Sequence, residues 1–133
     1  MITIVRVSDK QKENTYRCYC GRAGKGQEGL LGNPFAANVD HSNRDEVCDK
    51  YQIYFDFQLE CNNPVLISKL NELVEIAKIQ DIELACFCQS PKDAVKKKCH
   101  TETIKAYIEQ QLDEAEEDIH ILNQAREIEL STY

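Results

Sequence analysis

Apolar and polar residues alternate from Ile2 to Val7, the period-two signature of a half-buried strand. Residues 8–14 are polar and charged and read as a turn. Thr15 to Cys20 then reads as a second strand, with a hairpin to the first as the local pairing. Further on the period changes. Val47, Tyr51, Tyr54, Phe55 and Leu59 share one face of a helix that Ser42 or Asn43 would cap. Asn63-Pro64 opens a second helix with proline at its first position. That helix runs to about Ile79, with Leu66, Leu70, Leu73, Val74 and Ala77 on its face. Ile82 to Cys88 is a short apolar run, read as a strand. It follows a helix, so a parallel placement beside an earlier strand is expected. A helix from about Cys99–Thr101 carries Ile104, Tyr107, Ile108 and Leu112. Its seam continues through Ala115, Ile119 and Leu122 in a heptad-like rhythm and is lost at Arg126.

These elements predict an α/β protein: a single small domain with a short, mostly parallel sheet flanked by helices in two or three layers, and a long C-terminal helix. Residues 1–112 would form the α/β domain and residues 113–133 an acidic helical extension. No internal repeat and no linker divides the 133 residues.

Charge sharpens that division. The net charge is −7, and residues 101–133 hold nine acids against two bases. The preceding hundred residues are balanced, which gives no global reason to expect nucleic-acid binding. The acidic run Asp113–Asp118 reads first as a solvated helix face, and the seam beneath it must dock on the body or pair with a second copy as a homodimer. No apolar run approaches the ~18 residues of a membrane helix, so no membrane partner is expected. No signal-peptide pattern opens the chain, and the seven cysteines are an odd number. A reduced, cytoplasmic protein whose cysteines are thiols or ligands is expected.

Two stretches carry candidate chemistry. All five glycines lie between Gly21 and Gly32. Glycine-rich loops after a strand can bring backbone amides close to an anion. Arg22 and Lys25 add charge, and arginine can grip a phosphate or carboxylate with two parallel bonds. The stretch matches neither the dinucleotide fingerprint nor the P-loop, and a plain surface loop would look the same. The second stretch is Cys86-Phe87-Cys88, then Lys96-Lys97-Lys98-Cys99-His100 at a helix start. On a strand, Cys86 and Cys88 share a face. Helix N-terminal amides and lysines favour a thiolate near Cys99.

Cys86, Cys88, Cys99 and His100 are chemically good zinc ligands. Their spacing is not that of a standard finger, and adjacent residues seldom ligate one metal together. The rival reading is a nucleophile, Cys99 or Cys86, with His100 or His41 as base. Buried structural cysteine remains the third. Cys18 and Cys20 would complete a four-thiol cage if their strand neighbours Ile82–Cys88, although simple packing under the sheet explains them as well. Cys48 and Cys61 read as bystanders and His120 as a surface residue.

Taken in order, Gly21-Arg22, Leu31-Gly32-Asn33-Pro34-Phe35, Leu84-Ala85-Cys86-Phe87-Cys88 and Cys99-His100 resemble the bacterial and phage family called domain of unknown function 4326, over about residues 15–110. The resemblance implies a small α/β domain in bacteria or their phages and no established activity. It carries Gly21, Arg22, Gly32, Asn33, Pro34, Phe35, Cys86, Cys88, Cys99 and His100 as matched positions. This chain departs from the pattern at Cys18 and Cys20, in a longer, lysine-rich stretch between Cys88 and Cys99, and in its acidic extension. The expectation is an anionic small molecule, phosphorylated or nucleoside-like, held by Gly21, Arg22, Lys25, Gly32 and Asn33. Cys86, Cys99 and His100 would supply chemistry, or Cys86, Cys88, Cys99 and His100 would hold zinc. A zinc-stapled interaction module and a homodimeric accessory protein are the non-catalytic alternatives.

Overall fold

A computed structural model describes residues 1–22, 29–35, 43–86 and 99–131. Their elements run β1 (Ile2–Arg6), β2 (Thr15–Tyr19), α1 (Arg44–Glu60), α2 (Pro64–Ala77), β3 (Asp81–Cys86) and α3 (Thr101–Ser131). The sheet has the order β1-β3-β2, and both outer strands pair parallel to the central one. The α/β class and the parallel placement of β3 therefore hold.

The hairpin between the first two strands does not form. β3 lies between them, in register Ile4↔Leu84 on one side and Cys18↔Leu84 on the other. Residues 7–14 are instead a crossover that returns the chain to the start of a parallel strand. It is held to the sheet by Arg17, whose Nη1 donates to the carbonyls of Asp9 (2.6 Å) and Val7 (3.4 Å). The Arg17 Nε and Nη2 donate to Glu83 Oε1 at 3.2 and 3.1 Å, so a nearly buried carboxylate on the central strand is neutralised.

Strand alternation places Ile2, Cys18, Ile82 and Leu84 on the opposite face, where the helices cover them. One core cluster joins these residues to Tyr51 and Phe55 of α1, Leu66, Leu70 and Leu73 of α2, and Ile104 and Ile108 of α3. The helix faces are those the periodicity marked. Each fully buried aliphatic side chain here contributes about 1.5–3 kcal/mol of transfer free energy. Among the described residues the architecture is two-layered, a sheet with helices on one face.

The α1–α2 junction follows from four residues. Asn62 adopts the left-handed conformation (φ 53°) just past the C-cap Cys61. The Asn62 and Asn63 amides bond back to the carbonyls of Leu59 and Gln58, the pattern of a Schellman motif. The Asn63 side chain then accepts from the amides of Val65 and Leu66, and Pro64 occupies the first helical position. α2 ends at Ala77, two residues earlier than its pattern predicts. Asn43 stands at the N-cap position of α1 without a side-chain cap bond.

α3 is one continuous helix of 31 residues. Ile104 and Ile108 are fully buried, whereas Ile119, Leu122 and Leu130 are mostly exposed. The helix runs past Arg126, where its apolar seam stops, because Ala125, Glu127, Glu129 and Leu130 sustain helix by propensity. No described helix is long and apolar enough to cross a membrane.

Candidate functional site

Parallel strands leave their C-terminal ends on one edge of the sheet, where open α/β folds bind ligands. Here the ends of β2 and β3 lie side by side. The Cys20 amide donates to the Ala85 carbonyl at 2.7 Å, extending the pairing one residue beyond β2. The chain then turns at Gly21-Arg22. The start of α3 closes over the same edge, with Cys99, His100 and Thr101 all buried.

His100 makes the joint. Its Nε2 lies 2.6 Å from the Cys20 carbonyl oxygen. A carbonyl only accepts, so Nε2 carries the proton and donates. The ring also stands edge-on to Tyr51, with centroids 4.9 Å apart. Cys99 Sγ lies 3.2 Å from Cys86 Sγ and 2.7 Å from Thr101 Oγ1. Cys18, Cys20, Cys86 and Cys99 are all buried and unbridged. The Cys20 thiol is held well above the ordinary thiol range. A hydrogen bond with Cys18 is the largest cause, followed by burial and the nearby thiols of Cys18, Cys86 and Cys99. That thiol is consequently a packed, protonated group.

The segment 29–35 is bound to both the turn and α1. Gly32 sits so close to Gly21 that a Cβ there would fall 2.5 Å from the Gly21 carbonyl oxygen and 2.8 Å from its carbon. Arg22 Nε and Nη2 donate to the carbonyls of Asn33 (3.0 Å) and Phe35 (2.9 Å). Asn33 Nδ2 donates to the Val47 carbonyl, and its Oδ1 accepts from the Phe35 amide, an Asx-type turn. Tyr51 Oη donates to the Leu31 carbonyl at 3.0 Å. Phe35 packs edge-on to Tyr54, with Lys50 Nζ 5.9 Å from its ring.

The expected residues therefore divide. Gly21, Arg22, Gly32 and Asn33 form one connected unit, and Cys86, Cys99 and His100 form another, with Cys20 bridging them through its carbonyl. Arg22 and Asn33 each make two bonds that hold the fold together. Lys25, His41 and Cys88 lie outside the described residues. Among those described, no group of three or more His, Cys, Asp or Glu side chains is arranged to hold a metal ion. His120 is exposed, as its place in the acidic tail suggests.

Three contacts are not signalled by the sequence. Thr101 meets Cys99, and the Cys20 backbone meets His100. Cys48, read as a bystander, lines a cavity of about 200 Å³ together with Cys99, Asp49, Gln52, Glu102, Thr103 and Ala106. Its spacing gave one usable signal: Cys48 precedes Tyr51 by a single turn, on the buried side of α1.

This architecture defines a small two-layer α/β protein with a cysteine-rich edge at the ends of β2 and β3. The chain belongs to the family described as domain of unknown function (DUF4326), which matches residues 5–110. The match takes in the end of β1, all of β2, α1, α2 and β3, and only the beginning of α3. No curated protein and no solved structure matches the chain.

Proposed function

We propose that this protein binds an anionic small molecule, phosphorylated or nucleoside-like, at the edge where β2 and β3 end. The observation that carries the reading is the His100–Cys20 bond. It brings the Gly21-Arg22 turn and the Cys86/Cys99/His100 cluster to one place on the sheet. Arg22 is exposed and keeps guanidinium donors beyond the two that clamp Asn33 and Phe35. Lys25 would add charge, and the amides around Gly21 and Gly32 would line the approach. Asn33 acts mainly by fixing the turn, with one amide hydrogen remaining for a ligand.

In the catalytic form of this reading, the sulfur of Cys99 or Cys86 is the nucleophile. His100 would carry the proton or orient the site, with Nε2 held against the Cys20 carbonyl. In the zinc-holding form, Cys86, Cys88, Cys99 and His100 supply the ligands and staple α3 to β3. The odd count of seven cysteines fits a reducing, cytoplasmic setting in a bacterium or phage-infected cell.

The test is calorimetric titration of the reduced full-length protein with inorganic phosphate and a panel of nucleoside monophosphates, alongside elemental analysis. Saturable binding that weakens about tenfold in Arg22→Lys and in Lys25→Ala is expected, a loss of ~1.4 kcal/mol each. Absence of binding across the panel removes the reading. Stoichiometric zinc together with chelator-induced unfolding selects the stapled form.

The exposed apolar side chains of Ile119, Leu122 and Leu130 favour a second reading, a homodimer through α3. Sedimentation of the full-length chain should then show a dimer, and truncation after Gln111 a monomer. A monomeric full-length chain rules it out.

A further inference from the structure

We propose that Cys86 and Cys99 form a dithiol that a small hydroperoxide converts reversibly to a disulfide, with the cavity beside Cys99 as its entrance. The inference goes beyond anion binding and stands independently of it.

The two sulfurs are 3.2 Å apart. A disulfide requires about 2.05 Å, so closure needs little more than side-chain adjustment. Cys86 terminates the central strand and Cys99 lies immediately before α3, and both are buried. Neither sulfur is presented to large reagents at the surface. The approach is the cavity of about 200 Å³ that Cys99 lines, which exceeds the volume of a water-sized molecule several times over.

The size of that cavity limits the reagent. Its described lining includes Cys48 and Thr103 beside Cys99. A space of about 200 Å³ admits a small hydroperoxide, whereas oxidised glutathione is too large to enter. Cys86, whose sulfur lies 3.2 Å from that of Cys99, is the resolving partner.

The chemistry balances with one equivalent of hydroperoxide. The Cys99 sulfur attacks the terminal oxygen, the O–O bond breaks, and the thiol proton leaves with the departing alkoxide or hydroxide as alcohol or water. Cys99 is then a sulfenic acid. The Cys86 sulfur displaces its hydroxyl, the S–S bond forms, and the Cys86 proton leaves with that hydroxyl as water. Two thiols are oxidised by two electrons and one peroxide is reduced. The product fastens the end of β3 to the start of α3 and closes residues 87–98 into a loop.

The experiment treats the reduced full-length chain with stoichiometric hydrogen peroxide, blocks remaining thiols and maps disulfide-linked peptides by mass spectrometry. A Cys86–Cys99 link, lighter by two hydrogens and reversed by dithiothreitol, is expected. It should form at least about tenfold faster than with the same concentration of oxidised glutathione. In Cys86→Ala, Cys99 should instead be trapped by dimedone as a sulfenic acid. Cys86→Ser serves if the alanine variant is unfolded by circular dichroism. Absence of the link in the wild-type chain, or a link from Cys99 to Cys20 or Cys48 in its place, overturns the proposal. Equal rates with the two oxidants overturn the entrance. Phosphate and nucleotide titrations of the reduced chain read the anion site separately, so either idea can fail alone.

Discussion

Gly32 shows how one side chain's absence positions a site. Its α-carbon lies against the Gly21 backbone, and a methyl group would drive the two turns apart. Gly32→Ala should therefore destabilise the protein by about 1–3 kcal/mol, as overpacking does elsewhere, measured as a shift in the urea midpoint. Arg17 has the opposite role of supplying charge. It faces Glu83, which is 3 % exposed, and it anchors the crossover through two carbonyls. Arg17→Met leaves a buried carboxylate without its partner and should cost about 3–5 kcal/mol. A loss below ~1 kcal/mol in equilibrium unfolding would show that water reaches Glu83. At this scale the sequence was a partial guide. Gly-Asn-Pro-Phe stood out, but Asn33 and Arg22 were read as ligand groups, whereas each also clamps the fold. The donors that recognise an anion are the same donors that satisfy carbonyls in a turn, so residue type alone does not separate the two uses.

Among the elements, local chemistry was legible and distant pairing was not. Asn63-Pro64 announced α2 because cap and proline act within one turn of chain. Asn63→Ala should cost about 0.5–2 kcal/mol in thermal or urea unfolding. An unchanged midpoint would mean that packing alone fixes the start of α2. The three helix faces were equally clear, since a 3.6-residue period is written in one segment. The misplaced hairpin is the instructive failure. β1 and β2 are neighbours in sequence, yet both bond to a strand that arrives some sixty residues later. Nothing in residues 7–14 records this except the lack of a tight two-residue turn. Convergence of the cysteines was hidden for the same reason, because it depends on β2 lying beside β3. The far half of α3 is a third case, in which helix outlasts amphipathic pattern.

For the molecule as a whole, ionisation brackets the range of stability. The Asp9 carboxyl is held below its ordinary value of 3.8, chiefly by the Arg6 backbone amide and also by the Arg6 guanidinium. Its contribution is present above pH 3.8 and is lost as the pH falls through the lowered value. Cys20 works in the other direction. Its thiol is raised above the ordinary value of 9.0, so folded and unfolded chains are both protonated below that pH. Above it the unfolded chain releases a proton that the native chain retains, and stability falls as the pH rises. Urea midpoints should therefore decline at both extremes. Asp9→Asn should reduce the acid-side decline and Cys20→Ala the alkaline one. Persistence of the full alkaline decline in Cys20→Ala would assign it to other groups.

The strand order also has a consequence for how the chain is made. During synthesis β1 and β2 emerge early and have no partner, because the ladder they share is supplied by residues 81–86. Until then both present open edges, and the intervening helices have no sheet to cover. Closing loops of this length before any pairing is gained makes assembly a late event and favours one cooperative step over piecemeal growth. A nascent chain stopped before β3 lacks the ladder on which both outer strands depend. The same chain a few residues longer has its whole sheet. The central strand thus acts as a checkpoint in time, and the cysteine-rich edge cannot exist before it is passed.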